Sequence, residues 1–185
     1  QESAELKLRF LEGHRGIVEE VVLVLVEAFR KGNKVLLFGN GGSAADAQHI
    51  AAEFVNRFTF ERPALPAIAL TTDTSVLTSI ANDRDFTEVF ARQIEALGRP
   101  GDVAIGLSTS GRSVNVLKGI EAAKKLGLLT VGFTGEGGQL AEVVEFPFVV
   151  PSRSTPRIQE VHITLGHALC ELVDQALFKG QAGSF

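Results

Sequence analysis

Apolar residues recur along this chain at two different periods. Over the first thirty residues Leu6, Phe10, Ile17, Val21, Val24, Leu25, Ala28 and Phe29 return near the spacing of a helix, which Lys31-Gly32-Asn33 ends. So apolar a leader is more than one face of a small core requires, and it predicts packing against another subunit as well. From Lys34 the pattern becomes a set of short β-rich runs: Val35–Phe38, Ala67–Leu70, Val103–Leu107, Leu129–Phe133 and Phe146–Val150. Helical patterns separate most of them, notably Ser43–Phe58, Phe86–Leu97, Ser113–Leu126 and Arg157–Phe178. Strands that are apolar on both faces, alternating with amphipathic helices, predict an α/β fold with a doubly wound, five-stranded parallel sheet flanked by helices. We read residues 1–185 as one domain: a helical leader over 1–32, then the sandwich and C-terminal helix over 33–179, with Gly180–Phe185 frayed.

Composition narrows the function classes. A length of 185 residues suits one well-buried core, and 45% hydrophobic with 22% charged residues is ordinary for a globular chain. A net charge of −4 offers no general attraction to nucleic acid or to anionic membranes. The single Cys170 excludes an intramolecular disulfide and suits a reducing cytoplasm. No apolar run approaches the roughly 20 residues that span a bilayer, and no secretory leader pattern is present.

In an open parallel sheet ligands bind beyond the carboxyl ends of the strands, which directs attention to the loops after Phe38, Leu70, Leu107 and Phe133. After Leu107 comes Ser108-Thr-Ser-Gly-Arg-Ser113, entering a helix. Ser113 reads as a plain N-cap or as part of an anion site; four hydroxyls within six residues favour phosphate. Arg112 either assists or is solvated. The spacing and lysine of a Walker loop are missing, so a nucleoside triphosphate is not favoured. Gly39-Asn-Gly-Gly-Ser-Ala44 ends in Ala44 where a dinucleotide fingerprint has glycine or alanine, but Leu70 is followed by Thr71 and Thr72 before Asp73, leaving no acidic group for a ribose.

His49 and Glu53 lie four apart and share one helix face, as an ion pair or as a metal site. Ala44, Ala45, Ala47, Ala51 and Ala52 keep that helix slim enough for close packing. In the last helix His162 and His167 are about 140° apart around the axis, so both cannot face one site. Gln159 and His167 are about 12 Å apart along it. His14, in the leader, is expected to be exposed.

Together Gly39-Asn-Gly-Gly-Ser43, Ser108-Thr-Ser-Gly111 and Arg157-Ile-Gln-Glu-Val-His162 resemble the sugar-isomerase (SIS) family, from Asn33 to about Phe178. The resemblance is to its branch acting on seven-carbon sugar phosphates. It implies a homotetramer that converts sedoheptulose 7-phosphate to D-glycero-D-manno-heptose 7-phosphate through an enediol(ate). By the family pattern Ser108, Thr109, Ser110 and Ser113 take the phosphate. Asn40, Gly41, Gly42, Ser43, Glu53, Asn82, Asp83 and Gln159 contact the substrate, with Asp73 a lesser candidate. Aldose–ketose interconversion needs a base for a carbon-bound proton and a shuttle between neighbouring oxygens; the resemblance assigns these to Glu53 and His167. It also implies zinc held by His49, Glu53, Gln159 and His167, which either polarises the substrate oxygens while Glu53 shifts or only orders the empty site. His162 then reads as a satisfied interface or surface histidine. One straight helix does not bring Gln159 and His167 to a single atom, so each site is expected to be assembled from neighbouring chains.

A non-catalytic relative that binds a replication-initiator protein shares the tetrameric architecture, and Asn56-Arg-Phe58, Glu61-Arg-Pro63 and Ala81-Asn-Asp-Arg84 look like it. It lacks the acidic residue at the position of Glu53 and the histidine at that of His167, so the enzyme is favoured. A sugar-sensing regulator would add a DNA-binding domain, for which 185 residues leave no room.

Overall fold

The computed structural model describes residues 1–179, so the expected fraying of Gly180–Phe185 lies outside the described residues. In chain order the elements are α1 (Glu2–Arg30), β1 (Val35–Gly39), α2 (Gly42–Val55), β2 (Ala67–Ala69) and α3 (Thr74–Asp83). A 3-10 turn (Phe86–Glu88) leads into α4 (Val89–Leu97). Then come β3 (Val103–Ser108), α5 (Val114–Lys125), β4 (Leu129–Gly135), α6 (Leu140–Val143), β5 (Phe146–Val150) and α7 (Thr155–Phe178). Among the described residues the five strands form one parallel sheet in the order β2-β1-β3-β4-β5.

The pleat divides the core between the two faces of the sheet. Val35 and Leu37 of β1 point into a cluster with α1, α2 and α7, whereas Leu36 and Phe38 point into a second one with α4 and α5. Burial on both faces is why these strands read as unbroken apolar runs. Strand order reverses at β1, which has β2 on one side and β3 on the other. The crevice between the carboxyl ends of β1 and β3 is therefore the switch point of the sheet.

Helix α2 lies against α7, and small residues set the distance. A Cβ at Gly166 would fall 2.5 Å from the Ile50 side chain. Gly42 meets Gln159 and His49 meets His167, so the two helices run side by side in the same direction. The leader α1 buries Leu6, Phe10, Val18, Val21, Val22, Leu25, Val26, Ala28 and Phe29 against this layer, while Leu8 and Leu23 stay exposed. His14 is half-buried rather than exposed: its ring stacks on Phe10 at 4.2 Å and its Nδ1 lies 2.8 Å from the Phe10 carbonyl.

One boundary and one helix differ from expectation in ways the contacts describe. Helix α2 stops at Val55 instead of Phe58, where the Arg62 guanidinium takes the Glu53 and Phe54 carbonyls at 2.7 Å each. Helix α3 has no counterpart in the expected pattern. Its residues are Thr74–Asp83, none of them buried, and Asp73 caps its start by accepting from the Val76 amide at 3.0 Å.

Candidate active site

The serine loop sits at the switch point, between β3 and α5. The Ser113 hydroxyl lies 2.9 Å from that of Ser108, and the Ser110 hydroxyl accepts from the Arg112 amide at 3.2 Å. Ser113 is the N-cap residue of α5, yet its side chain makes no capping bond. The Ser113 hydroxyl turns instead toward Ser108, at a helix start that carries positive partial charge. Arg112 points away: its guanidinium donates to the Gly137 carbonyl at 2.9 and 3.2 Å and is exposed.

The turn after β1 faces this loop. Gly41 adopts φ +56° as the N-cap residue of α2, a backbone conformation that suits glycine. Asn40 and Asn115 exchange two amide hydrogen bonds, 2.9 and 2.8 Å, which join the first loop to the start of α5. Ser43 is buried. Gly42 has no side chain to keep the Gln159 amide away; a Cβ there would lie 2.1 Å from Gln159 Nε2.

The titratable side chains lie further along α2. The Nε2 atoms of His49 and His167 are 2.8 Å apart, and His49 Nε2 is 3.5 Å from Glu53 Oε1. The side chain of Glu53 is 21% exposed and that of His49 is 47% exposed, so the cluster is open to a ligand but not fully solvated. The Phe58 ring packs 5.5 Å from that of His167. Two facing imidazole nitrogens at this distance share one proton, or both turn lone pairs toward a cation. Among the described residues, no group of three or more His, Cys, Asp and Glu side chains is arranged to hold a metal ion.

Glu53 and His167 are thus brought together through His49 within a single chain. The expectation of a site assembled from neighbouring chains rested on Gln159 and His167, which stay apart within this chain, Gln159 at Gly42 and His167 at His49. Gln159 is not part of that cluster and stays with Gly42 at the switch-point end. Ten residues of α2, about 15 Å along the axis, separate Ser43 from Glu53. Asn82 and Asp83 are exposed in the last turn of α3, bonded to each other at 2.7 Å. Asp73 is occupied as a helix cap. His162 is neither at the surface nor satisfied. It is fully buried, neither ring nitrogen has a hydrogen-bond partner, and burial lowers its pKa to about 4, against a weak opposing effect of the Thr134 backbone.

Comparison with known proteins establishes the family. The SIS domain model matches residues 1–135. The chain is 58% identical to a phosphoheptose isomerase from Aquifex aeolicus, covering 95% of this chain and 92% of that one. It is 56% identical to the phosphoheptose isomerase of Thermodesulfovibrio yellowstonii, covering 97% and 90% respectively. The solved phosphoheptose isomerase from Neisseria gonorrhoeae superimposes with a TM-score of 0.88 at 41% identity, over 94% of each chain. The chain belongs to the SIS-domain family, among its phosphoheptose isomerases. It is an enzyme, a sugar-phosphate isomerase.

Two features of this isomerase escaped the sequence. The Asn40–Asn115 exchange joins residues 75 apart, and nothing local marks them as partners. The second is a buried ion pair, Arg62 Nε to Asp174 Oδ1 at 2.9 Å, with side chains 1% and 0% exposed. A signal for it existed: Asp174 follows Val173 on the apolar stripe of α7 and lies one turn beyond Cys170. Cys170 itself is buried, which pushes its thiol far up, with the Asp174 and Glu53 carboxylates adding to the effect; it is a packing residue.

Proposed function

We propose that this isomerase converts sedoheptulose 7-phosphate to D-glycero-D-manno-heptose 7-phosphate. The observation that carries the reading is the meeting of Glu53, His49 and His167 on the α2–α7 face, a base and imidazoles in reach of one another. The Ser108–Ser113 loop and the start of α5 hold the phosphate. Glu53 removes a proton from C1 of the ketose, leaving an enediolate, and returns it to C2. His167 moves a proton between the two neighbouring oxygens, so that the C2 carbonyl becomes a hydroxyl and the C1 hydroxyl becomes the aldehyde. Asn40, Asn82, Asp83 and Gln159 are the polar groups that orient the sugar.

Zinc belongs to this proposal on the chemistry of its donors. Two imidazoles and a carboxylate are donor types that zinc takes, and His49, Glu53 and His167 would have to shift to surround one ion. A bound zinc would polarise the two substrate oxygens. Gln159, with Gly42 at the other end of the helix pair, cannot join these three in the same chain.

The same separation supports a homotetramer with shared sites. The serine loop and the acid–base cluster stand at opposite ends of α2, so the serine loop of one chain would serve the Glu53 and His167 of a neighbour. A soluble sugar phosphate as substrate fits action in the cytoplasm.

The test is direct. The protein is incubated with sedoheptulose 7-phosphate and the aldose product followed, with Glu53→Gln and His167→Ala alongside. Unchanged turnover in Glu53→Gln ends its assignment as the base. Chelation followed by zinc titration should remove and restore activity; full turnover without metal ends the catalytic role of zinc.

A further inference from the structure

The Arg62–Asp174 pair is buried at the end of the helix that carries Glu53, and a buried ion pair adds little stability over apolar residues of the same size. Its placement points elsewhere. The guanidinium donates Nη2 to the Glu53 carbonyl and Nη1 to the Phe54 carbonyl, 2.7 Å each, and Nε to Asp174 Oδ1 at 2.9 Å. It stands where the next turn of α2 would have been. Asp174 lies on α7, seven residues beyond His167, which is two turns further along nearly the same face. One planar cation therefore ties the backbone of Glu53 to the helix that carries His167.

We infer that Arg62 and Asp174 are a positioning pair, which fixes the Glu53 carboxylate in register with His49 and His167. Neither side chain touches substrate; both act through the backbone at Glu53. The fit is fork-like and specific, since lysine offers no planar set of donors to two carbonyls and a carboxylate at once. Asp174 Oδ2 has no partner of its own, so Arg62 is the side chain that holds this carboxylate in place. The inference rests on the reading of Glu53 as the base.

The experiment separates holding the fold from holding the base. In the full chain the pair is replaced by Arg62→Met with Asp174→Leu, and separately Arg62→Lys is made. Melting temperature, kcat and KM for sedoheptulose 7-phosphate are measured on each. The apolar swap is expected to melt within a few degrees of the parent and keep KM within about twofold, while kcat falls about 10- to 100-fold, as displacement of a reacting group by about 1 Å would give. Arg62→Lys is expected to lower kcat by at least about tenfold at similar KM. Parental kcat in the folded swap overturns the inference. If the swap does not fold, parental kcat in Arg62→Lys overturns it. Glu53→Gln, run in parallel, distinguishes the failures. If it keeps full turnover the base assignment is what fails; if it is inactive while the swap is fully active, only the positioning role falls.

Discussion

Asp102 and Asp174 are both buried carboxylates paired with a cation, and they are treated oppositely. Asp102, just before β3, uses both oxygens: Oδ1 accepts from the Lys34 amide at 3.0 Å and from Asn33 Nδ2 at 3.2 Å, Oδ2 from Lys34 Nζ at 2.6 Å and from the Arg99 amide at 2.8 Å. Burial pushes its pKa up, but the Lys34, Arg99 and Asn33 bonds outweigh this and hold it below the ordinary value. Asp174 has one bonded oxygen. Burial raises its pKa, Arg62 offsets only part of that, and the nearby Glu53 carboxylate adds to it. The difference teaches where the molecule has settled its polar groups. Under the amino ends of the strands every lone pair is used, whereas beside Glu53 the network is left open.

The largest effect that sharpens this contrast is on catalysis. Glu53→Gln is expected to lower kcat by about a thousandfold, within the range for losing a general base, with the melting temperature little changed. At the settled end the reverse holds. Asp102→Ala strands Lys34 in a nearly closed site and is expected to cost about 3 kcal/mol in urea unfolding. Folded variants of this kind should keep the parental KM. Asp102 contributes stability that is complete above its unfolded carboxylate pKa and disappears as the pH falls through its lower folded value. For Asp174 the sign reverses: its contribution is greatest in acid and is lost as the pH rises through its folded value.

A third group tests the contrast from within the core. His162 is held neutral, so protonation of the unfolded chain draws stability away as the pH falls from its unfolded value near 6.5 toward about 4. The loss amounts to up to about 3 kcal/mol for a shift of this size. His162→Leu should flatten the melting temperature across that window, because it removes the titrating group, and should raise it by removing two unpartnered ring nitrogens. The smallest effect is expected at the serine loop. Ser113→Ala should raise KM for the sugar phosphate about fivefold, the equivalent of one hydrogen bond of about 1 kcal/mol, and leave kcat nearly unchanged.

The parts of the fold that were legible in the sequence are those whose residues are buried on a regular period. β1, β3 and β4 are apolar on both faces and stand out as runs. Helix α3 is short and none of its residues is fully buried, so Val76, Leu77, Ile80 and Ala81, although they fall on a helical period, give only a brief signal. The serine loop was legible through its density of hydroxyls, and His49 with Glu53 through their spacing. That His167 joins them was implied by the family resemblance and not by spacing, because it depends on how α2 and α7 lie against each other, where Gly166 lets Ile50 approach. Arg62 stood in the sequence only within Glu61-Arg-Pro63, and nothing local marks its partner, Asp174, 112 residues away.

The paired amides of Asn40 and Asn115 bring a final consequence. They clasp the turn leaving β1 to the first turn of α5, across the seam where the sheet changes direction. The cradle proposed for the phosphate would therefore be stiff before anything arrives, and binding would not spend energy on ordering two separate loops. On the proposed reading, cutting that clasp should loosen the grip on the phosphate tail of a sugar while leaving Glu53, toward the far end of α2, undisturbed.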